Sequence, residues 1–115
     1  MKKISIVTAC YNEEENIEAL YLAVKSIMEK SLNNYNYEHI FIDNCSSDKT
    51  VSIIRNIAKT DKNIKAIINS RNFGHIRSPV YGLLQADGDA VISLVADFQD
   101  PPELIVDLVA KWEEG

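Results

Sequence analysis

Positive charge is in short supply in this chain, and so are the features that would place it on a nucleic acid or inside a bilayer. Its 115 residues carry 12 Lys and Arg against 17 Asp and Glu, a net charge of −5, whereas a nucleic-acid-binding surface would be basic. No apolar run approaches the roughly 20 residues of a membrane span. The opening Met1-Lys2-Lys3, followed by alternating Ile and Val, lacks the long apolar region and small-residue cleavage site of a signal peptide. Cysteine is scarce: Cys10 and Cys45 make no C-x-x-C pair and have no histidines at metal spacing. Both read as buried free thiols in a reducing compartment. Neither G-x-G-x-x-G nor G-x-x-x-x-G-K-[ST] occurs, which removes the dinucleotide fingerprint and the P-loop. Repeats, low-complexity tracts and linker-like segments are missing too. The length suits one domain with a modest core.

What is present is an alternation of two periodicities. Residues 4–9 run apolar and alternate, as a first strand. Asn12 with Glu15 reads as a capping box, and Ile17, Leu20, Tyr21, Val24, Ile27 and Met28 follow at helical spacing. Residues 40–43 form a second strand. Ser47 or Asp48 caps a second helix marked by Val51, Ile54, Ile57 and Ala58. Residues 64–68 are a third strand, and residues 80–86 a short helix. After a turn at Asp87-Gly88, a fourth strand runs to Val95. Asp100, Pro101 and Glu103 open the last helix, with Leu104, Ile105, Leu108, Val109 and Trp112 as its buried face. Strands and helices in this alternation give an α/β fold, a Rossmann-like parallel sheet with helices on both faces.

Ligands of such sheets bind outside the carboxyl ends of the strands. Every strand here is apolar until it ends in polar groups: residues 8–13, Asp43-Asn44, residues 69–75, then Asp97 and Gln99. Four such ends together point to a site. Asp97 and Gln99 share one face of an extended segment and offer hard oxygens to Mg²⁺ or Mn²⁺, or they decorate a turn. Asp43 can accept from a base N–H or a ribose hydroxyl, or close an Asx turn. Arg71 can neutralise a diphosphate or pair at the surface. His75 can donate to phosphate or sit exposed, and Tyr11 can stack on a base or cover the sheet edge. Capping is explanation enough for Asp100.

At these residues the chain resembles the nucleotide-binding half of the family-two inverting glycosyltransferases with a GT-A fold. Within them it looks similar to the polyprenyl-phosphate (dolichol- or undecaprenyl-phosphate) sugar transferases. The matching segments are IVTACYNEEENI, FIDNCSSDKT, NSRNFGHIRSPVYGLLQADGDAVISL and ADFQDPPELI, which in order and spacing cover nearly all of the chain. The resemblance implies that Thr8, Ala9, Tyr11, Glu13 and Asp43 surround the base and ribose. Arg71 and His75 would lie near the phosphates. Ala96 and Asp97 would complete the nucleotide site, with Asp97 and Gln99 holding Mg²⁺ or Mn²⁺. Three departures stand out: Val95 where the family's D-x-D has its first acid, Asn44-Cys45 in place of Asp-Gly, and Ala9 in place of proline.

The implied donor is a nucleotide-diphosphate sugar, UDP-linked, and the acceptor a polyprenyl phosphate in cell-envelope glycan synthesis, at the cytoplasmic side of a membrane. Residues 1–115 read as the donor-binding half, with no catalytic base assigned to them and a homo-oligomer left open. Two other readings fit the same residues: a saccharide or protein acceptor, and a flavodoxin-like Mg²⁺-binding module without catalysis.

Overall fold

The computed structural model describes residues 2–68, 88–95 and 104–114. Chain order runs β1 (Lys3–Cys10), α1 (Ile17–Lys30), β2 (Asn36–Asp43), α2 (Thr50–Thr60), β3 (Ile64–Ile68), β4 (Ala90–Val95) and α3 (Leu104–Glu114). The four strands form one sheet in the order β3-β2-β1-β4, parallel at every pairing. The expected α/β class is the observed one.

Strand periodicity sorts the sheet residues. Ile4, Ile6 and Cys10 of β1 join Phe41, Ile64, Ile92 and Leu94 in one cluster, closed by Leu20 and Val24 of α1, Ile54 of α2 and Ile105 and Val109 of α3. The intervening residues Val7, Ile40 and Ile42 form a second, smaller cluster with Ile67. Alternate residues of one strand therefore feed opposite faces, and β1 and β2 are buried on both. All three described helices belong to the larger cluster; the expected helix at residues 80–86 lies outside the described residues. Each fully buried Ile or Leu contributes roughly 1.5–3 kcal/mol of transfer free energy.

Polar contacts pin the helices further. The Tyr21 hydroxyl of α1 donates to Asp61 Oδ2 at 2.8 Å, and Asp61 caps the C-terminus of α2. Burial, then the Asp61 carboxylate, push the Tyr21 phenol up to about 12. Tyr21→Phe should lower stability by about 1 kcal/mol, read from urea denaturation at pH 7. A change under a few tenths would mean that this contact is solvated away.

Several sequence expectations need correction. The capping box at Asn12 and Glu15 does not form: α1 begins at Ile17 with Asn16 before it, and Asn12 sits at φ 51°. Its side chain accepts from Ser47 N–H instead. Strand β2 starts at Asn36, ahead of the expected Ile40, because β1 pairs with it from Lys3 opposite Asn36 onward. Sheet pairing overrides the polar composition of that stretch. The N-cap position of α2 falls on Lys49, although Asp48 does receive the Thr50 N–H at 2.9 Å. On α3, Leu104 and Leu108 remain 37% and 39% exposed, since the face that reaches the cluster runs through Ile105, Val106, Val109 and Trp112. Cys45 is exposed, and neither cysteine is joined in a disulfide. The caps expected at Asp100 and Pro101, and Asp87 of the turn, lie outside the described residues.

The feet of the strands hold a buried polar knot. Glu38, almost wholly buried, accepts from the Ser5 hydroxyl and pairs with Lys65 and Lys3. Gly88 N–H donates to the same Ser5 hydroxyl at 2.8 Å, and Asp89 N–H to Lys3 O at 2.7 Å.

Candidate functional site

The chain steps from β1 to β2 to β3 in one direction and then returns to place β4 on the other side of β1. This reversal makes the carboxyl ends of β1 and β4 the topological switch point, the place where open α/β sheets have their ligand crevice. Ala9 pairs with Val95 at the last rung of β1 and β4, and Cys10 with Asp43 at that of β1 and β2. Tyr11, Glu13 and Asp43 therefore gather at one edge. Ala96, Asp97 and Gln99 follow β4 directly in the sequence. They lie outside the described residues, as do Arg71 and His75.

Two loops build this edge, and they are stitched together. After β1, three consecutive backbone N–H groups point across to side chains of the β2–α2 loop and of the first residue of α2. Asn12 N–H donates to Ser46 Oγ at 2.9 Å, Glu13 N–H to Thr50 Oγ1 at 2.9 Å, and Glu14 N–H to Asp48 Oδ2 at 3.3 Å. In return Ser47 N–H donates to Asn12 Oδ1 at 2.8 Å. Positive φ at Asn12 and at Cys45, 51° and 62°, turns the two loops; Asn tolerates this region better than Cys does. Both groups that Asn12 would bring to a capping box are engaged in the opposite loop, its N–H on Ser46 Oγ and its Oδ1 under Ser47 N–H, and α1 starts a turn later.

Asp43 is wholly buried. Its Oδ2 accepts from Ser46 N–H at 2.8 Å and its Oδ1 from the Ser46 hydroxyl. The turn role considered from sequence is thus real, and it fixes the carboxylate in place. A carboxylate has about four acceptor positions, so Ser46 leaves capacity for a ligand. Beside it, burial first, then the charges of Asp43 and Glu13, push the Cys10 thiol far up, so this cysteine stays a neutral apolar filler. For Asp48, burial works against the charged form. The hydroxyl and N–H of Thr50, with backbone donors, outweigh it and hold the carboxyl below its ordinary range.

The other sequence candidates separate by exposure. Tyr11 is 47% exposed and free to present its ring, whereas Ala9 and Glu13 are half-buried. Thr8 is wholly buried, and its hydroxyl shares a 2.9 Å hydrogen bond with His39 Nε2. Sequence reasoning did not single out Ser46, Thr50 or His39. The Ser-rich run was visible as a turn and a helix start, but its partners in residues 12–14 become neighbours only when β1 and β2 pair. Among the described residues, no cluster of three or more His, Cys, Asp or Glu could hold a metal ion, and no helix is long and apolar enough to cross a membrane.

Comparison with known proteins places this architecture. The model for glycosyl transferase family 2 matches residues 5–115. The bactoprenol glucosyl transferase of Shigella phage SfV is 42% identical over 113 residues, 98% of this chain and 36% of that protein. The undecaprenyl-phosphate 4-deoxy-4-formamido-L-arabinose transferase of Proteus mirabilis is 43% identical over 117 residues, 100% of this chain and 35% of that protein. The chain thus spans about a third of the length of the relatives it matches. Among solved structures, S. aureus TarS in complex with UDP superposes with a TM-score of 0.76 at 26% identity, over 97% of this chain and 32% of that one. A Pyrobaculum calidifontis mannosyltransferase in complex with GDP-Man and Mn²⁺ shares the fold, with a TM-score of 0.69 at 21% identity over 94% of this chain and 31% of that one. With the family model matched from the first strand onward, the chain belongs to glycosyl transferase family 2.

Proposed function

We propose that this chain is the donor-binding part of a glycosyltransferase that moves a sugar from a UDP-sugar to a polyprenyl phosphate by a single displacement at the anomeric carbon. The carrying observation is the strand-order reversal at the carboxyl ends of β1 and β4, with buried Asp43 held by Ser46 at the neighbouring end of β2. Asp43 accepts from the nucleoside, and Tyr11, exposed at the rim, offers its ring to the base. The UDP complex of TarS, similar in fold, supports the choice of nucleotide. The relatives named for bactoprenol and undecaprenyl phosphate support the acceptor and action at a membrane, which this reading puts on the cytoplasmic side.

Asp97 and Gln99, a carboxylate and an amide oxygen, have the hard-donor chemistry that suits Mg²⁺ or Mn²⁺. They follow Val95, the last residue of β4 and the partner of Ala9 at the crevice. A bound divalent cation supplies positive charge against the departing diphosphate. Arg71 adds a permanent cation suited to the same oxygens. The chain's own contribution is to hold the nucleoside and so orient the sugar's anomeric carbon toward the acceptor.

Calorimetric titration tests this reading. UDP should bind in the presence of Mg²⁺ or Mn²⁺ and more weakly in EDTA. Asp43→Ala should weaken UDP by at least about tenfold, the lower end for a hydrogen bond to a charged group. No UDP binding with either cation, or full affinity in folded Asp43→Ala, would overturn it.

A further inference from the structure

We infer that Ser46 is the positioning residue for the nucleoside, setting Asp43 through a hydroxyl relay that starts in the opposite loop. This assignment rests on the donor-binding reading of the same crevice. The relay is written in three contacts. Asn12 N–H donates to Ser46 Oγ at 2.9 Å; that hydroxyl, its acceptor side occupied, donates its proton to Asp43 Oδ1; and Ser46 N–H donates to Asp43 Oδ2 at 2.8 Å. A hydroxyl rotates freely unless both of its roles are assigned. Here the backbone of residue 12 assigns the acceptor role, so the donor role falls to Asp43. Both carboxylate oxygens are thereby held, and the carboxylate plane is set by one residue.

The relay also ties the carboxylate to the loop that carries Tyr11. Asn12 is the residue after Tyr11, and its side chain accepts from Ser47 N–H at 2.8 Å, so the two loops cannot shift independently. Thr50 repeats the device one residue along, accepting from Glu13 N–H and donating to Asp48 Oδ1. That second relay ends on Asp48, which also accepts from Thr50 N–H at the start of α2, and it does not touch Asp43. Only the Ser46 relay ends on a wholly buried carboxylate at the end of a central strand. Ser46 thus controls the nucleoside end of the pocket, while the diphosphate end depends on residues beyond β4.

The test exploits that division. UDP, uridine and inorganic diphosphate, each with Mg²⁺, are titrated into the unaltered chain and into Ser46→Ala, Ser46→Cys and Ser46→Thr, with melting curves to establish folding. Ser46→Ala should weaken UDP and uridine by about fivefold, a loss within the range of one hydrogen bond, and leave inorganic diphosphate unchanged. Ser46→Cys, of similar size but with a weak S–H donor, should show the same selective loss and stands in should Ser46→Ala not fold. Ser46→Thr keeps the hydroxyl and should restore UDP to within about twofold. Equal losses for UDP and diphosphate would reveal general loosening and overturn the assignment, as would a folded Ser46→Ala with unaltered UDP affinity. Failure of the unaltered chain to bind UDP overturns the donor-site reading and this assignment with it.

Discussion

Gly88→Ala should cost this protein about 3 kcal/mol of stability, seen as a fall in the urea midpoint with little change in slope. A Cβ at position 88 would lie 2.4 Å from Ser5 Oγ, 2.7 Å from Ser5 N and 3.0 Å from Lys3 O. Two of these atoms are backbone of β1, which is paired on both sides, to β2 and to β4. The strand cannot retreat without loosening both ladders. If Gly88 moves instead, its N–H leaves the Ser5 hydroxyl, which also serves buried Glu38. Disturbing that hydroxyl weakens the support of a carboxylate kept from water, a costly place for a lost hydrogen bond. Adding Ser5→Ala removes the nearest clash but also deletes the hydroxyl that serves Glu38 and leaves the clash with Ser5 N, so the double variant should not recover the loss. A midpoint for Gly88→Ala within error of the unaltered chain would show that this approach is not tight.

Acid should destabilise the fold through His39. Its ring is wholly buried, 4.0 Å from the Phe41 ring between centroids, with Nε2 on Thr8. Among the described residues Nδ1 has no hydrogen-bond partner. Burial lowers its pKa from 6.5 to about 3. The native state therefore holds the neutral ring, and the unfolded chain takes up a proton near pH 6.5. Stability from this residue is complete above that pH and falls as pH drops toward 3, by about 1.4 kcal/mol per unit. Between pH 6.5 and 4.5 the loss should reach about 2.3 kcal/mol, because at pH 6.5 the unfolded ring is already half protonated. The comparison is the double variant His39→Phe with Thr8→Val, which removes the titrating ring and the hydroxyl that would otherwise be orphaned. Urea curves across that pH range should show the unaltered chain losing about 2.3 kcal/mol more than the double variant. Parallel curves would mean that His39 can take up its proton in the native state.

The contrast between these two residues shows what could be read in advance. Gly88 was visible as part of a turn, but nothing local says that β1 passes within contact distance of it. His39 stood one residue ahead of the expected second strand and was passed over; its importance comes from burial, which a sequence pattern does not measure. The helix start at Asn12 failed for a related reason. A capping box is a local proposal, and residues 12–14 found their partners in Ser46, Asp48 and Thr50, more than 30 positions away. Polar strand ends, by contrast, were legible, because each interrupts an otherwise apolar run.

Period-two and helical spacing of apolar residues determined the elements, the parallel sheet and the edge at which the polar ends collect, since these follow from which side chains must leave water. The run from Thr8 to Glu13 and Asp43 marked that edge before any coordinates. Tertiary structure alone decided which of those groups turn inward and which face the crevice. Thr8 is spent on His39, and Asp43 is fixed by Ser46. Tyr11 stays exposed, and Cys45 takes a left-handed turn. The physical reason is that hydrogen bonds between β1 and β2 loops exist only after the strands have paired. Short-range spacing carries the hydrophobic pattern, whereas the orientation of a buried polar group is set by neighbours that the chain brings to it from far along its length.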